Sequence, residues 1–166
     1  MKKCWIILLV ALLLSGCGAQ ETFETVSDDY PVAAATELKE VQLSLPDDAA
    51  APLDQAEDGS KIYMCDGYTI TVQTMESGDL DRTFREISGY PKEELTVMKT
   101  MRNGIDCYES VWCTAGEEEE QICRSVIFDD GNYHYGITVM ANYSMAGQLS
   151  DTWQDILGMA TLVSTD

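Results

Sequence analysis

The chain has few basic side chains: ten Lys and Arg stand against 29 Asp and Glu, a formal net charge of −19 over 166 residues. Such a surface repels the phosphates of nucleic acids and of anionic lipid headgroups. We therefore expect no nucleic-acid partner and no membrane attachment through a basic patch. Histidine is scarcer still, because His134 is the only one, which makes a mixed Cys/His zinc site a weak hypothesis.

Sequence motifs of known catalytic chemistry are also missing. No G-x-S-x-G frames a serine, and the chain has no Gly-rich phosphate loop, H-E-x-x-H pair or dinucleotide fingerprint. His134 alternates with Tyr133 and Tyr135 along one predicted strand, so we expect it on the outward face. A hydrolase would also need a nucleophile and an orienting acid near His134, and no sequence motif provides them. We predict no catalytic site, although carboxylate pairs for glycoside cleavage stay open in so acidic a chain.

No hydrophobic run is long enough to span a bilayer. The longest, Trp5 to Leu14, covers about 15 Å, half of a hydrocarbon core of about 30 Å. It follows Lys2-Lys3 and leads into Ser15-Gly16-Cys17, which is the basic, apolar and small-residue order of a secretory signal.

The end of this run, Leu14-Ser15-Gly16-Cys17, resembles the lipobox of bacterial lipoproteins, whose cysteine receives a diacylglycerol after cleavage just before it. The resemblance implies that residues 1–16 are removed, that Cys17 is lipidated, and that the protein is held at the extracytoplasmic face of the cell membrane. A plain secretory signal with a chance cysteine is the alternative.

The segment after Cys17 has the composition of a tether. It is rich in Glu, Asp, Ala, Pro and Ser, as in Asp47-Asp48-Ala49-Ala50-Ala51-Pro52, and has no sustained period. Such chains bury too little apolar surface to offset the entropy of ordering. We predict a disordered acidic tether over residues 17–59 and a domain over residues 60–166. Whether residues 36–45 dock on the domain as a short helix or strand stays open.

Two hairpins and a helix are predicted in the first half of the domain. Asp66-Gly67 and Asn103-Gly104 are two-residue turn signals between apolar strands. Between the hairpins, Leu80, Phe84 and Ile87 recur at i, i+4 and i+7, which predicts an amphipathic helix that ends at Ser88-Gly89.

Two further strands and a helix complete the domain. Strands are predicted over residues 121–128 and 133–142, and a helix over residues 150–163 from one apolar stripe: Leu149, Trp153, Ile156, Leu157, Ala160 and Val163. The order ββ-α-ββββ-α predicts an α+β fold, with an antiparallel sheet of about six strands and two packing helices.

This element order, together with the closing stretch Trp153-Gln154-Asp155-Ile156-Leu157-Gly158-Met159-Ala160, resembles the PsbP/DcrB-like α/β sandwich of many small Firmicutes lipoproteins. The resemblance covers roughly residues 60–166. It implies an adaptor or assembly role and brings no set of functional residues to this chain.

Four cysteines remain once Cys4 leaves with the signal and Cys17 takes the lipid: Cys65, Cys107, Cys113 and Cys123. An even number in an exported domain is typical of disulfides, and no C-x-x-C redox pair is present. If Ala115 lies opposite Gln121 in the hairpin between them, the sulfurs of Cys113 and Cys123 face each other. This favours Cys113–Cys123 with Cys65–Cys107. A different pairing stays open, because Cys107 and Cys113 share a strand face.

Two carboxylate-rich segments, Glu117 to Glu120 and Asp129-Asp130-Gly131-Asn132, lack the spaced ligands of a calcium loop and are interpreted as solvated turns. The methionines suit core packing better than Cu(I) binding. We therefore predict no metal and no cofactor. The many tyrosines favour an exposed aromatic contact surface for a peptide or glycan.

The sequence thus predicts a lipid-anchored extracytoplasmic protein that acts as a non-catalytic binding or assembly module at the cell envelope, with a cell-surface protein or glycan as partner. The alternative is an envelope enzyme or thiol-redox factor that uses Cys65, Cys107, Cys113 or Cys123. Metal capture by methionines or glutamates is a third hypothesis.

Overall fold

The computed structural model describes residues 37–50, 52, 60–116 and 118–165. All of them belong to the unit formed by residues 36–166. The predicted signal, Cys17 and most of the predicted tether lie outside the described residues. None of the described helices is long and apolar enough to cross a bilayer.

Eight strands and two α-helices follow one another along the described chain. They are β1 (Lys39–Gln42), β2 (Lys61–Cys65), β3 (Tyr68–Glu76), α1 (Leu80–Ser88), β4 (Thr96–Arg102), β5 (Ile105–Ala115), β6 (Glu120–Asp129), β7 (Tyr133–Asn142), α2 (Ala146–Met159) and β8 (Thr161–Ser164). Short 3₁₀ turns, Lys92–Glu94 and Tyr143–Met145, precede β4 and α2.

Six of the strands form one antiparallel sheet in the order β2-β3-β7-β6-β5-β4. The predicted α+β fold with a sheet of about six strands and two packing helices is confirmed. The β4–β5 turn is the predicted one, because Asn103 (φ 52°) and Gly104 (φ 81°) both adopt the positive φ of a type I′ turn. In the β2–β3 turn only Gly67 does so, with φ 80°.

The predicted first helix is confirmed, and it ends at Ser88-Gly89 as predicted. Asp79 accepts the main-chain N–H groups of Asp81 and Arg82 at 3.0 and 3.2 Å, which satisfies donors that the first helical turn leaves unpaired. Gly89 ends the helix in the left-handed conformation, with φ 80°.

The two helices cover opposite faces of the sheet. Alternation along β7 sends one set of side chains to the face under α2, where they form the main core with Leu149, Trp153, Ile156 and Leu157: Tyr135, Ile137, Val139 and Ala141. Gly136 points to the other face, where a Cβ would stand 2.6 Å from Cδ1 of Ile87 on α1. The absence of a side chain at Gly136 therefore lets α1 approach the sheet.

The predicted last helix is misplaced at both ends. It begins at Ala146 rather than Ser150, and after Met159 the chain leaves the helical conformation at Ala160 (ψ 135°) to form β8. The apolar stripe continues into Ala160, which is buried, but Val163 lies in a strand.

Strand β8 pairs antiparallel with β1, a strand inside the predicted tether. The prediction of disorder is therefore wrong for residues 39–42, which take the alternative that the sequence left open and dock on the domain as a strand. The reason is burial: Val41, Leu43 and Leu162 pack against the main core. Such packing supplies the apolar burial that composition alone did not reveal. Ala50 also bonds to β2, its N–H donating to the carbonyl of Met64 at 2.9 Å.

Candidate functional site

The structure does not contain the predicted disulfides, since Cys65, Cys107, Cys113 and Cys123 are all free thiols. The register of the β5–β6 hairpin differs by one residue from the predicted one: Ala115 lies opposite Glu120. Cys113 consequently pairs with Ile122 and Trp112 with Cys123. A slip of one residue moves a side chain to the other face of the sheet, so the two sulfurs point apart.

The second predicted bridge, Cys65–Cys107, is ruled out by strand order. Cys65 lies on β2 at one edge, and Cys107 lies on β5, four strand spacings away. That separation is about 19 Å at 4.8 Å per strand, far beyond the reach of a disulfide.

The environment of three of these thiols disfavours redox chemistry. Burial raises the pKa of Cys65 and of Cys107, and it raises the pKa of Cys123 to about 11. The thiolate is the reactive form, so these groups are poor nucleophiles at neutral pH.

His134 does not lie on an outward face, contrary to prediction. Its phase is right, because it lies opposite the face of Tyr133 and Tyr135, but α1 covers it and only 1% of it is exposed. Its Nδ1 lies 2.7 Å from Oγ1 of Thr83 on α1, and its Nε2 lies 3.5 Å from Oδ2 of Asp129. Thr83 is equally buried, at 1%. This hydroxyl–imidazole–carboxylate row joins helix to sheet and offers a substrate no access.

A second buried polar group fastens β1 to the turn between β6 and β7. The side chain of Asp130 is 1% exposed, and it pairs with Nζ of Lys39 at 3.0 Å. Its Oδ1 accepts the main-chain N–H groups of Asn132 and Tyr133 at 3.0 and 2.9 Å. Burial alone would raise the pKa of Asp130, but these donors and Lys39 outweigh it and hold the pKa below its usual range.

The structure confirms a turn at Asp129-Asp130-Gly131-Asn132, but the prediction that this turn is solvated is wrong for Asp130, whose side chain is 1% exposed. Its partner Lys39 lies far away along the chain, in a segment predicted to be a tether. The second carboxylate-rich segment has Glu119 Oε1 accepting the hydroxyl of Ser144 at 2.8 Å. Within the described residues, no group of three or more His, Cys, Asp and Glu side chains is arranged to hold a metal ion.

Most of the basic side chains form ion pairs with Asp or Glu side chains of the same chain. Of the ten Lys and Arg, two lie in the predicted signal and seven form ion pairs: Lys39, Lys61, Arg82, Arg85, Lys99, Arg102 and Arg124. The acids outnumber them, so a large excess of negative charge is left for the surface. Such a field attracts positively charged partners and repels anionic ones.

Two surface features stand out among the described residues. One is a pocket of about 280 Å³ lined by Glu76, Ser77, Asn132 and Tyr133. The other is a set of exposed apolar side chains on β4 and its neighbour β5. Met98 and Val111 lie on one face and are 55% and 49% exposed, and Met101 lies on the other face and is 68% exposed. Methionine side chains are flexible and are frequent at surfaces that bind varied partners.

Comparison with known proteins concerns the fold. No family model and no curated protein matches the chain. Among solved structures, it is similar to the cyanobacterial PsbP of Synechocystis sp. PCC 6803 (CyanoP), with a TM-score of 0.53 and 8% identity over 78% of this chain and 96% of that one. The described residues have a PsbP/Mog1-like fold.

Two further structures show the same PsbP/Mog1-like architecture. The Ran-binding protein Mog1p of Saccharomyces cerevisiae gives a TM-score of 0.51 at 12% identity over 78% of this chain and 98% of that one. LpqN of Mycobacterium tuberculosis, which is involved in cell envelope biogenesis, gives a TM-score of 0.50 at 12% identity over 79% of this chain and 87% of that one. Identities this low show the fold alone, and the resemblance seen in the sequence is confirmed at that level.

Proposed function

We propose that the protein is a binding or assembly module of the cell envelope, without a catalytic role, held to the membrane by a lipid on Cys17. The anchor rests on Leu14-Ser15-Gly16-Cys17 and the basic and apolar residues before it. One of the similar folds, LpqN, is involved in cell envelope biogenesis, and another, Mog1p, binds Ran. The first name supports a role at the envelope, and the second supports a domain that works by binding.

The burial of His134 is the observation that carries the non-catalytic part of the proposal. An imidazole is the usual acid–base group near neutral pH, and here the only one is 1% exposed and bonded to Thr83. The row formed with Asp129 has the residue types of a hydrolytic triad, but the hydroxyl that would attack belongs to Thr83 of α1 and is buried against the sheet. The hydrogen bond between Thr83 and His134 therefore stabilises the contact between α1 and the sheet.

The thiol-redox alternative is disfavoured by the same kind of observation. A redox pair needs two thiols within bonding distance and one of them with a lowered pKa. In this sheet Cys113 and Cys123 point to opposite faces, and burial raises the pKa of Cys123.

The apolar group at the β4 edge gives the proposal its positive support. Met98 on the edge strand and Val111 on its neighbour are about half exposed on the same face, and Met101 is exposed on the other face of the edge strand. An edge strand also leaves main-chain donors and acceptors unpaired by sheet bonds, which favours addition of an extended segment.

Site-specific crosslinking tests the proposal in living cells. A photoreactive amino acid at position 98 on β4 is compared with the same group at position 154, because Gln154 is exposed on α2. We expect a discrete adduct from position 98 and none from position 154. Equal adducts from both positions, or none from position 98, would contradict a binding role for this edge.

A further inference from the structure

The polar pocket of about 280 Å³ lies where β3 ends and the β6–β7 turn begins. Its lining comes from two segments, Glu76-Ser77 and Asn132-Tyr133. Glu76 and Tyr133 are register partners on neighbouring strands, so both side chains belong to the same face of the sheet. The pocket thus brings a carboxylate, an amide, a hydroxyl and an aromatic ring together at one end of the sheet.

Hydrogen bonds within the protein already hold the backbone that lines this pocket in place. The N–H of Ser77 donates to the carbonyl of Asn132, and the hydroxyl of Ser77 donates to the carbonyl of Gly131, both at 2.9 Å. The N–H of Asn132 is held in turn by buried Asp130. A site whose backbone is already ordered loses less entropy when it binds.

The carboxylate of Glu76 is exposed and has no ion pair among the described side chains. Lys39, the base tied to the adjoining turn, is paired with Asp130. Arg82 reaches only the main-chain carbonyl of Glu76, at 3.5 Å, and its Nε pairs with Glu86. Arg82 belongs to α1, which covers the opposite face of the sheet. The pocket therefore carries a negative charge that the protein itself does not neutralise.

We propose that this pocket receives a lysine or arginine side chain from a basic segment of a partner protein. Glu76 supplies the counter-charge, Tyr133 supplies a ring of the kind that attracts cations, and Asn132 supplies an amide oxygen for a donor N–H. The net charge of −19 steers such a segment toward the protein. This inference rests on the proposed binding function and names the chemistry of the partner.

The test measures how the full-length protein in detergent micelles binds a fluorescein-labelled peptide of alternating lysine and glycine, by anisotropy at an ionic strength of about 0.15 M. The variant is Glu76→Gln. The control is Glu93→Gln, which removes the same charge from an exposed glutamate on the 3₁₀ turn before β4. We expect the first to weaken binding by about tenfold or more and the second by about twofold or less. Thermal unfolding of both variants checks that the fold is retained.

Three outcomes would overturn the inference. Equal losses in Glu76→Gln and Glu93→Gln would mean attraction by net charge without a site. Binding of spermidine as tight as that of the peptide would assign the pocket to a small amine. Binding of chitotriose that depends on Glu76, with none of the peptide, would assign it to a glycan.

The crosslinking experiment separates this inference from the proposed function. If position 98 still forms the adduct and Glu76→Gln does not change the affinity for the peptide, the pocket inference is wrong, but the proposed binding function is still supported. If no adduct forms from position 98, the proposed binding role of the β4 edge fails, whatever the peptide does.

Discussion

Lys39 on β1 and Asp130 in the β6–β7 turn form an ion pair of 3.0 Å between Nζ and Oδ2, with the carboxylate side chain only 1% exposed. The main-chain N–H of Lys39 also donates to the hydroxyl of Tyr135 at 2.9 Å, 96 positions further along the chain. This contact ties a strand that looks like part of a tether to the main sheet, so the folded unit begins before residue 60.

Replacement of Lys39 tests how strongly this tie stabilises the fold. Lys39→Met leaves a buried carboxylate without its cation, and we expect the free energy of unfolding to fall by about 1–3 kcal/mol. The control is Lys61→Met, because Lys61 pairs with Glu40 on β1 at 3.5 Å with both side chains about half exposed. That change should cost about 0.5 kcal/mol or less. Urea unfolding measures both, and equal effects would contradict a special role for Asp130.

Gly136 and Ile87 test the approach of α1 to the sheet. Gly136→Ala places a Cβ 2.6 Å from Cδ1 of Ile87, so we expect a loss of about 1 kcal/mol. Ile87→Val removes that terminal carbon at a cost of about 1 kcal/mol on its own. The double variant should therefore be more stable than the sum of the two losses predicts. Additive losses in urea unfolding would show that the two positions are not in contact.

Thr83 tests whether His134 has a structural role. Thr83→Val keeps the shape of the side chain but removes the hydroxyl 2.7 Å from Nδ1, which leaves a buried ring nitrogen without that partner. We expect a loss of about 1–2 kcal/mol in unfolding free energy, with the adduct from position 98 unchanged. Thr74→Val, at an exposed position on β3, serves as the control and should change stability by less than about 0.5 kcal/mol. Loss of the adduct without loss of stability would point to a functional histidine.

Thiol titration tests the sheet register. We expect the unfolded, unreduced domain to release all four thiols, because the structure holds Cys65, Cys107, Cys113 and Cys123 as free cysteines. In the folded protein, Cys107 and Cys123 are 0% and 2% exposed and should react slowest. Two thiols or none after unfolding would mean that bridges form and that the observed register is wrong.

Local chemistry explains which elements were predictable. Asn103-Gly104 and Ser88-Gly89 are short-range signals, and the turn and the helix end that depend on them agree with prediction. The predicted pairing of Cys113 with Cys123 depended on an assumed register, with Ala115 opposite Gln121, and no local turn signal fixes that register. A shift of one residue in the register puts the two sulfurs on opposite faces of the sheet.

Long-range contacts explain the elements that were missed. The apolar stripe at helical spacing continues as far as Ala160, directly before β8, and the four residues of β8 are too few to show a strand period. Its partner β1 lies far away along the chain, in an acidic stretch. The pocket is likewise formed by Glu76 and Tyr133, which only the pairing of β3 with β7 brings together.

Mass spectrometry of the protein isolated from bacterial membranes tests the central claim, that this acidic domain acts at the envelope from a lipid anchor. We predict a mature chain that begins at Cys17 and carries a diacylglycerol there, and a Cys17→Ala variant that leaves the membrane fraction. An intact chain from Met1 with an unmodified Cys17 in the cytosol would contradict the account.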